Sequence, residues 1–208
     1  MARVSAPLFS LDASGTVANA IVFSKWRGRQ YVRRHARPKN PRSAGQIGIR
    51  AAMKFLAQAY TDNKGDIDTN FADPSKSANV SFFNAYVAYN IRRWRQAHGV
   101  SIEYPATESA NSITITQGLT AGQRNIIVSV TASATTLLWA IAIYRSTATI
   151  TTVNWNNCIA IIPVTDGAAH LYTDAPLVAG TYHYRAAAIN NTGKIGTACA
   201  DASATSTT

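Results

Sequence analysis

Cysteine is nearly absent from this chain, with only two in 208 residues. That excludes a disulfide framework, and no Cys/His spacing suits a zinc site. Charge is also sparse: charged residues make up 14% and hydrophobic residues 47%, the reverse of the balance that keeps a chain disordered. No run of about 20 apolar residues occurs, so no membrane-spanning helix is expected. Met1–Ser10 lacks a basic region followed by an apolar stretch, and no secretory signal is expected there.

Catalytic signatures are missing as well. His35, His98, His170 and His183 are scattered, and the serines lack a Gly-x-Ser-x-Gly elbow. There is no phosphate loop, dinucleotide fingerprint or catalytic carboxylate pair. Asp62, Asp66, Asp68 and Asp73 lie close together around Gly65, but Lys64 takes a ligand position of a calcium loop and no closing Glu follows. No enzymatic activity, metal or cofactor is therefore expected.

The charge that is present is unevenly placed. Residues 1–100 hold 16 of the 20 cations and 5 of the 10 acids, a net of +11; residues 101–208 hold 4 cations and 5 acids, a net of −1. Such asymmetry suggests modules with different partners. The texture also changes near residue 100, from Arg, Lys and aromatics to Thr, Ala, Ile, Val and Asn in strand-like alternation. The expected division is a basic α+β module at 1–100, a linker over Gly99–Asn111 around Pro105, an all-β module at 105–201, and a flexible Ser/Thr/Ala tail at 202–208.

In the first module, Val17–Ser24 and Gln30–Arg34 read as strands of a hairpin turning at Gly28. Pro38 and Pro41 bar helix just before them. Ser43 with Gln46 forms a capping box for a helix to about Tyr60. Thr61–Ser77 reads as a polar loop, and Ala78–Ala97 as a second helix ending on Arg92, Arg93 and Arg95, which suit its dipole. Phe82, Tyr86, Tyr89 and Trp94 exceed what so small a module can bury, so a second subunit is an expected cover for some of them.

In the second module the expected strands are Ser112–Gln117, Asn125–Ala132, Leu137–Arg145, Cys158–Pro163, Ala169–Thr173, Thr181–Asn190 and Lys194–Ala200. Seven short strands in about 100 residues predict an immunoglobulin-like sandwich. Cys158 and Cys199 fall on candidate strands and read as small buried apolar residues.

Two resemblances add to this reading. Leu177, Gly180, Thr181, the tyrosines that follow, Arg185 and Asn190-Asn191-Thr192-Gly193 resemble the end of a fibronectin type III domain, and Trp139–Ser146 resembles its C strand. Gly15-Thr16-Val17, Lys25-Trp26-Arg27-Gly28, Tyr31-Val32-Arg33, Pro38, Asn40-Pro41, Ser43, Gln46 and Arg50 resemble a family of small proteins of tailed bacteriophages and prophages. That second resemblance implies a virion component, assembled in the cytoplasm of a bacterial host.

From Lys25 to Lys54 there are ten cations and no acid, with Trp26, Tyr31 and His35 interleaved. Such a strip can pair with carboxylates on a protein or with phosphates on a nucleic acid. The residues expected to contact a partner are Trp26, Arg27, Arg29, Tyr31, Arg33, Arg34, Arg37 and Arg42. Because side chains alternate along a strand, Arg33 and Arg34 cannot serve one flat surface. The expected role is a capsid decoration, or cement, protein docked on the major capsid protein or another virion protein. A neck, tail or fibre-base component is the nearest alternative, and a nucleic-acid-binding protein using residues 25–54 is another.

Overall fold

The computed structural model describes residues 2–3, 15–17, 20–26, 29–36, 40, 42–134, 137–164 and 168–208. It is an α+β fold with antiparallel sheets, and the chain divides into two compact units, Met1–Pro41 and Arg42–Thr208.

The first unit is a four-stranded sheet of β1 (Ala2–Arg3), β2 (Gly15–Val17), β3 (Ile21–Trp26) and β4 (Arg29–Arg34), in the order β1-β4-β3-β2. Ile21, Val22 and Phe23 in β3, and Tyr31 and Val32 in β4, are β-branched or aromatic and suit a pleated surface. The two strands pair from Ile21↔Arg34 to Trp26↔Arg29; the sequence predicts a hairpin here, but its expected first strand, Val17–Ser24, divides between β2 and β3, and the expected turn residue Gly28 lies outside the described residues.

The second unit opens with α1 (Ala44–Asp62), α2 (Lys64–Asn70), α3 (Ala72–Ala78) and α4 (Phe82–Arg95). Strands β5 (Ile115–Gly122), β6 (Asn125–Ala132), β7 (Leu138–Ser146), β8 (Cys158–Pro163), β9 (His170–Asp174), β10 (Gly180–Asn190) and β11 (Ala202–Ser206) follow. They form one sheet ordered β11-β10-β7-β8 and another ordered β5-β6-β9.

The helices and the two sheets stack as three layers. On β7, Ala140, Ala142 and Tyr144 join a core with Phe55, Leu56, Tyr86 and Trp94 of the helices. The alternate residues Ile141 and Ile143 join a second core with Ile126, Val128 and Val130 of β6. β10 divides likewise: Ala187 and Ile189 face the helices, while Tyr184, Ala186 and Ala188 face the other sheet. Period-2 alternation thus feeds two cores from one sheet.

This arrangement moves the expected boundary. Residues 100–105 lie inside one compact unit, and the division falls at Pro41/Arg42, because the apolar faces of α1 and α4 are covered by β7, β8 and β10. The Gly99–Asn111 segment is likewise pinned rather than a free linker. Asn90 is fully buried; its side-chain amide donates to the carbonyls of Tyr86 and Ser101 and its oxygen accepts from the Ser101 N–H at 2.7 Å. Arg93 donates to the carbonyls of Gly99 and Gly193 and to Glu108. Tyr86 and Trp94 are 0% and 1% exposed, so the chain itself covers these two aromatics and no second subunit is needed for them.

Other expectations are corrected locally. The stretch read as a polar loop contains α2 and α3; Ile67 of α2, Phe71 at their junction and Ser75 of α3 are buried and recur every four positions. Pro74 sits in the first turn of α3, where a missing N–H costs little. Ser43 precedes α1 but makes no side-chain capping bond, whereas Ser81 accepts from the Asn84 N–H at 3.2 Å and caps α4. The segment expected as strand Lys194–Ala200 holds only an isolated bridge at Ile195, and the last strand is β11, within the expected flexible tail. That tail is ordered by pairing with β10 from Gly180↔Ser206 to Tyr184↔Ala202. Cys158 is buried and Cys199 partly buried, both free thiols. Cys199 bonds the backbone of β10 at Ala186, while Cys158 lies on β8, two strands away. That separation, roughly 10 Å at about 4.8 Å per strand, exceeds the reach of a disulfide.

The close approach of α1 to the segment before β8 requires a glycine. A Cβ on Gly48 would overlap the backbone carbonyl oxygen of Trp155, and Gly45, one turn earlier, lies against the Trp155 ring. In a helix Ala outranks Gly by about 1 kcal/mol, but a backbone clash cannot be relieved by a rotamer change. Gly48→Ala is expected to lower stability by about 1–3 kcal/mol in chemical denaturation, whereas Gly65→Ala, with open space at its Cβ, leaves it unchanged or raised. Glu108 provides a second test. Burial pushes its carboxyl up, but Arg93 at 2.8 Å, His98 at 2.7 Å and Lys194 at 3.7 Å outweigh burial, and its pKa falls below the ordinary 4.5. A lowered folded-state pKa stabilises above the unfolded value, and that contribution is lost as pH falls through the folded one. Melting temperature should therefore drop as pH is taken below 4.5, and Glu108→Gln should flatten that limb.

Candidate functional site

The residues expected to meet a partner separate into two groups. On β4, side chains two apart share a face, so Arg29, Tyr31 and Arg33 lie together and Arg34 lies on the opposite face with Val32. Arg29 and Arg33 are exposed and Tyr31 half-buried. The two guanidinium-bearing positions are about 13 Å apart along the strand, with the aromatic ring between them. Trp26 ends β3 at the register position opposite Arg29. Arg27 and Arg37 lie outside the described residues. Arg42 belongs to the second unit, so the uninterrupted basic run supplies two separate supports.

In that second unit, Arg42 stands at the mouth of a cleft of about 840 Å³ between α1, β8 and the end of β9. The wall on α1 is one helical face: Ile47, Arg50, Ala51, Lys54, Phe55 and Gln58 recur at three- and four-residue spacing. Opposite stand Ile159, Ile161, Ile162 and Pro163 of β8, with Tyr172 and Pro176. The rim cations Arg42, Arg50 and Lys54 are exposed, while Phe55 and Ile161 at the floor are 2% and 8% exposed.

The one carboxylate among the described residues lining this cleft is committed. Both oxygens of Asp174 accept from Arg145 Nη1 at 2.7 Å, and Oδ2 also accepts from the Tyr184 hydroxyl at 2.8 Å. Burial pushes the Tyr184 hydroxyl well above its ordinary range, and the charge of Asp174 and their hydrogen bond push it further. Burial likewise raises Tyr172, with the charge of Asp174 adding. An Asp engaged on both oxygens is not a poised base. Among the described residues, Arg42 and Lys54 leave the rim of the cleft positive above an apolar floor, surroundings that suit an anion with apolar parts.

Sequence reasoning counted Arg50 and Lys54 in the basic run but did not place them in a site. The usable signal was their four-residue spacing beside Ala51 and Phe55, which puts charge and apolar surface on adjacent stripes of one helix.

No family model matches the chain, and no curated protein does. Among solved structures it is similar to a β-1,2-glucanase from Parabacteroides distasonis, at 19% identity and a TM-score of 0.38, over 50% of this chain and 14% of that one. It is also similar to the pectate lyase PelI from Erwinia chrysanthemi, solved with tetragalacturonic acid, at 14% identity and a TM-score of 0.31, over 41% of this chain and 26% of that one. The chain thus spans about a seventh and a quarter of these two proteins.

Removing the charge on Asp174 tests its structural role. Asp174→Asn leaves Arg145 facing a neutral amide in a site where the Asp side chain is 8% and the Arg side chain 24% exposed. A fully buried pair broken this way costs about 3–5 kcal/mol; with Arg145 partly open to solvent the expected loss is about 2–3 kcal/mol. Tyr184→Phe, which removes one hydrogen bond, should cost about 1 kcal/mol. Denaturant midpoints at unchanged slope measure both.

Proposed function

We propose that this chain is a non-enzymatic structural component of a tailed-phage virion, a capsid decoration protein that docks through its basic N-terminal unit. The observation that carries this reading is the exposed Arg29–Tyr31–Arg33 face, presented by a sheet that forms a compact unit of its own. Arginine pairs carboxylates bidentately and stacks on aromatics, which suits a protein partner with an acidic or mixed surface. The partner is the major capsid protein or another virion protein, and the chain is placed on the particle during assembly in the bacterial cytoplasm. Binding only the assembled shell adds docking free energy to shell stability, and many copies on a symmetric lattice give avidity from modest contacts.

We infer further that β5–β11 make a fibronectin type III-like sandwich that serves as a spacer. Support comes from the three-stranded sheet β5-β6-β9 facing the four-stranded sheet β11-β10-β7-β8 across a shared apolar core. It comes also from the corner before β10, where the Tyr182 hydroxyl donates to the Val178 carbonyl at 3.0 Å and Leu177 is buried. A tyrosine returning a hydrogen bond to the backbone a few residues upstream is a feature of such corners.

Electron cryomicroscopy of particles carrying the protein, with occupancy counted, tests the role. Regular density on the outer shell with the N-terminal sheet against capsid protein is expected. Absence from the particle, or an N-terminal sheet bare to solvent or turned inward on the genome, overturns it. Arg29→Glu with Arg33→Glu should weaken retention on purified capsids by about tenfold or more. Tight DNA binding that falls steeply with salt would instead mark a nucleic-acid-binding protein.

A further inference from the structure

We propose that the cleft between α1 and β8 is a second docking site, which takes an extended acidic segment of a partner protein as an added strand on the edge of β8. The inference stands independently of the N-terminal sheet, since every residue it uses belongs to the second compact unit.

Strand β8 is the last in its sheet, so one of its sides pairs with β7 and the other pairs with no described strand. The ladder parity fixes which backbone groups face outward. Val164 N–H donates to the Trp139 carbonyl, and the register continues Ala140↔Pro163, Ile141↔Ile162 and Ala142↔Ile161. In an antiparallel ladder alternate residues turn their N–H and C=O to the same neighbour. Val164 and Ile162 therefore address β7, and Ile161 turns both its N–H and its C=O to the open side. Pro163 offers a carbonyl there and no N–H, which limits pairing to a short segment centred on Ile161.

Charge selects the occupant. Arg42 and Lys54 stand exposed at the rim of the cleft, and Asp174, the one carboxylate among its described lining residues, is already bound by Arg145 and Tyr184. A low-dielectric floor of Phe55 and Ile161 strengthens the field of those cations inside the cleft. The occupant favoured by both features alternates acidic with apolar residues: backbone bonds to Ile161 give affinity, and the side chains give specificity. A volume of about 840 Å³ accommodates a few residues of extended chain.

The probe is a short fluorescein-labelled peptide of alternating Glu and Val, titrated by fluorescence anisotropy at low salt against the full chain. Saturable binding is expected. It should weaken about tenfold or more in Arg42→Glu/Lys54→Glu, whose substituted side chains are exposed, and survive in Arg29→Glu/Arg33→Glu. N-methylating alternate residues of the peptide should abolish binding in one of the two phases of alternation and spare it in the other. Binding that ignores the Arg42/Lys54 reversal, is lost with the Arg29/Arg33 reversal, or is indifferent to both N-methylation patterns overturns the proposal. Equal binding of a Lys-Val peptide, or displacement by oligo-dT at the same concentration, overturns it as well. Loss of capsid retention in Arg29→Glu/Arg33→Glu bears only on the N-terminal unit, so the two readings fail separately.

Discussion

Small side chains on the helix-facing surface of the central sheet set the architecture of the second unit. Ala140, Ala142 and Ala187 are fully buried there, and their size lets α1 and α4 come down onto β7 and β10. Large residues stand where the space is: Phe55, Leu56, Tyr86 and Trp94 come from the helices and Tyr144 from the sheet. Each such side chain contributes about 1.5–3 kcal/mol when fully removed from water, so this one interface carries much of the unit's stability. Gly48 extends the same logic to the backbone, where α1 meets the segment at Trp155. The Arg95 guanidinium stacks on the Trp155 ring at 5.6 Å and closes the contact from the α4 side.

That interface also explains what could be read from the sequence and what could not. Strands β6 and β8 fall on the expected residues because alternation and flanking turn residues mark them locally. The strong apolar content of β7 and β10 was legible, but its meaning was not. Continuous burial on both faces requires a third layer, and a sequence shows the run without showing what covers it. The boundary read near residue 100 followed from this. Composition shifts there because helices give way to strands, and composition cannot tell that from the end of a domain. The helices α2 and α3 were hidden by their polar residues, although Ile67 and Phe71 carried a four-residue period. β11 was hidden because Ala-Ser-Ala-Thr-Ser is a weak strand sequence, ordered by its pairing with β10.

The site was legible as charge and not as geometry. The ten cations of residues 25–54 form one run on paper, yet topology assigns Arg29 and Arg33 to a sheet face and Arg42, Arg50 and Lys54 to a cleft. The alternation rule separated Arg33 from Arg34 without a structure, because it needs only the backbone period. Assigning Arg42, Arg50 and Lys54 to a cleft required β8 and the end of β9, more than 100 residues further along the chain. No local pattern reports such a long-range pairing.

The two cationic surfaces differ in how much each charge is worth. On the β4 face Arg29 and Arg33 are exposed at backbone positions about 13 Å apart, beyond the roughly 8 Å screening length at physiological salt. Each therefore acts nearly alone and contributes about 0–1 kcal/mol to a contact. A single copy held by that face alone would bind weakly, so docking there depends on many copies presented together. Arg50 and Lys54 are one helical turn apart and share an apolar floor with Arg42. The fields of Arg50 and Lys54, about 6 Å apart along α1, add within one screening length, and an occupant that excludes water from the floor strengthens them further. In the proposed docking, the cleft would therefore depend less on copy number than the sheet face would.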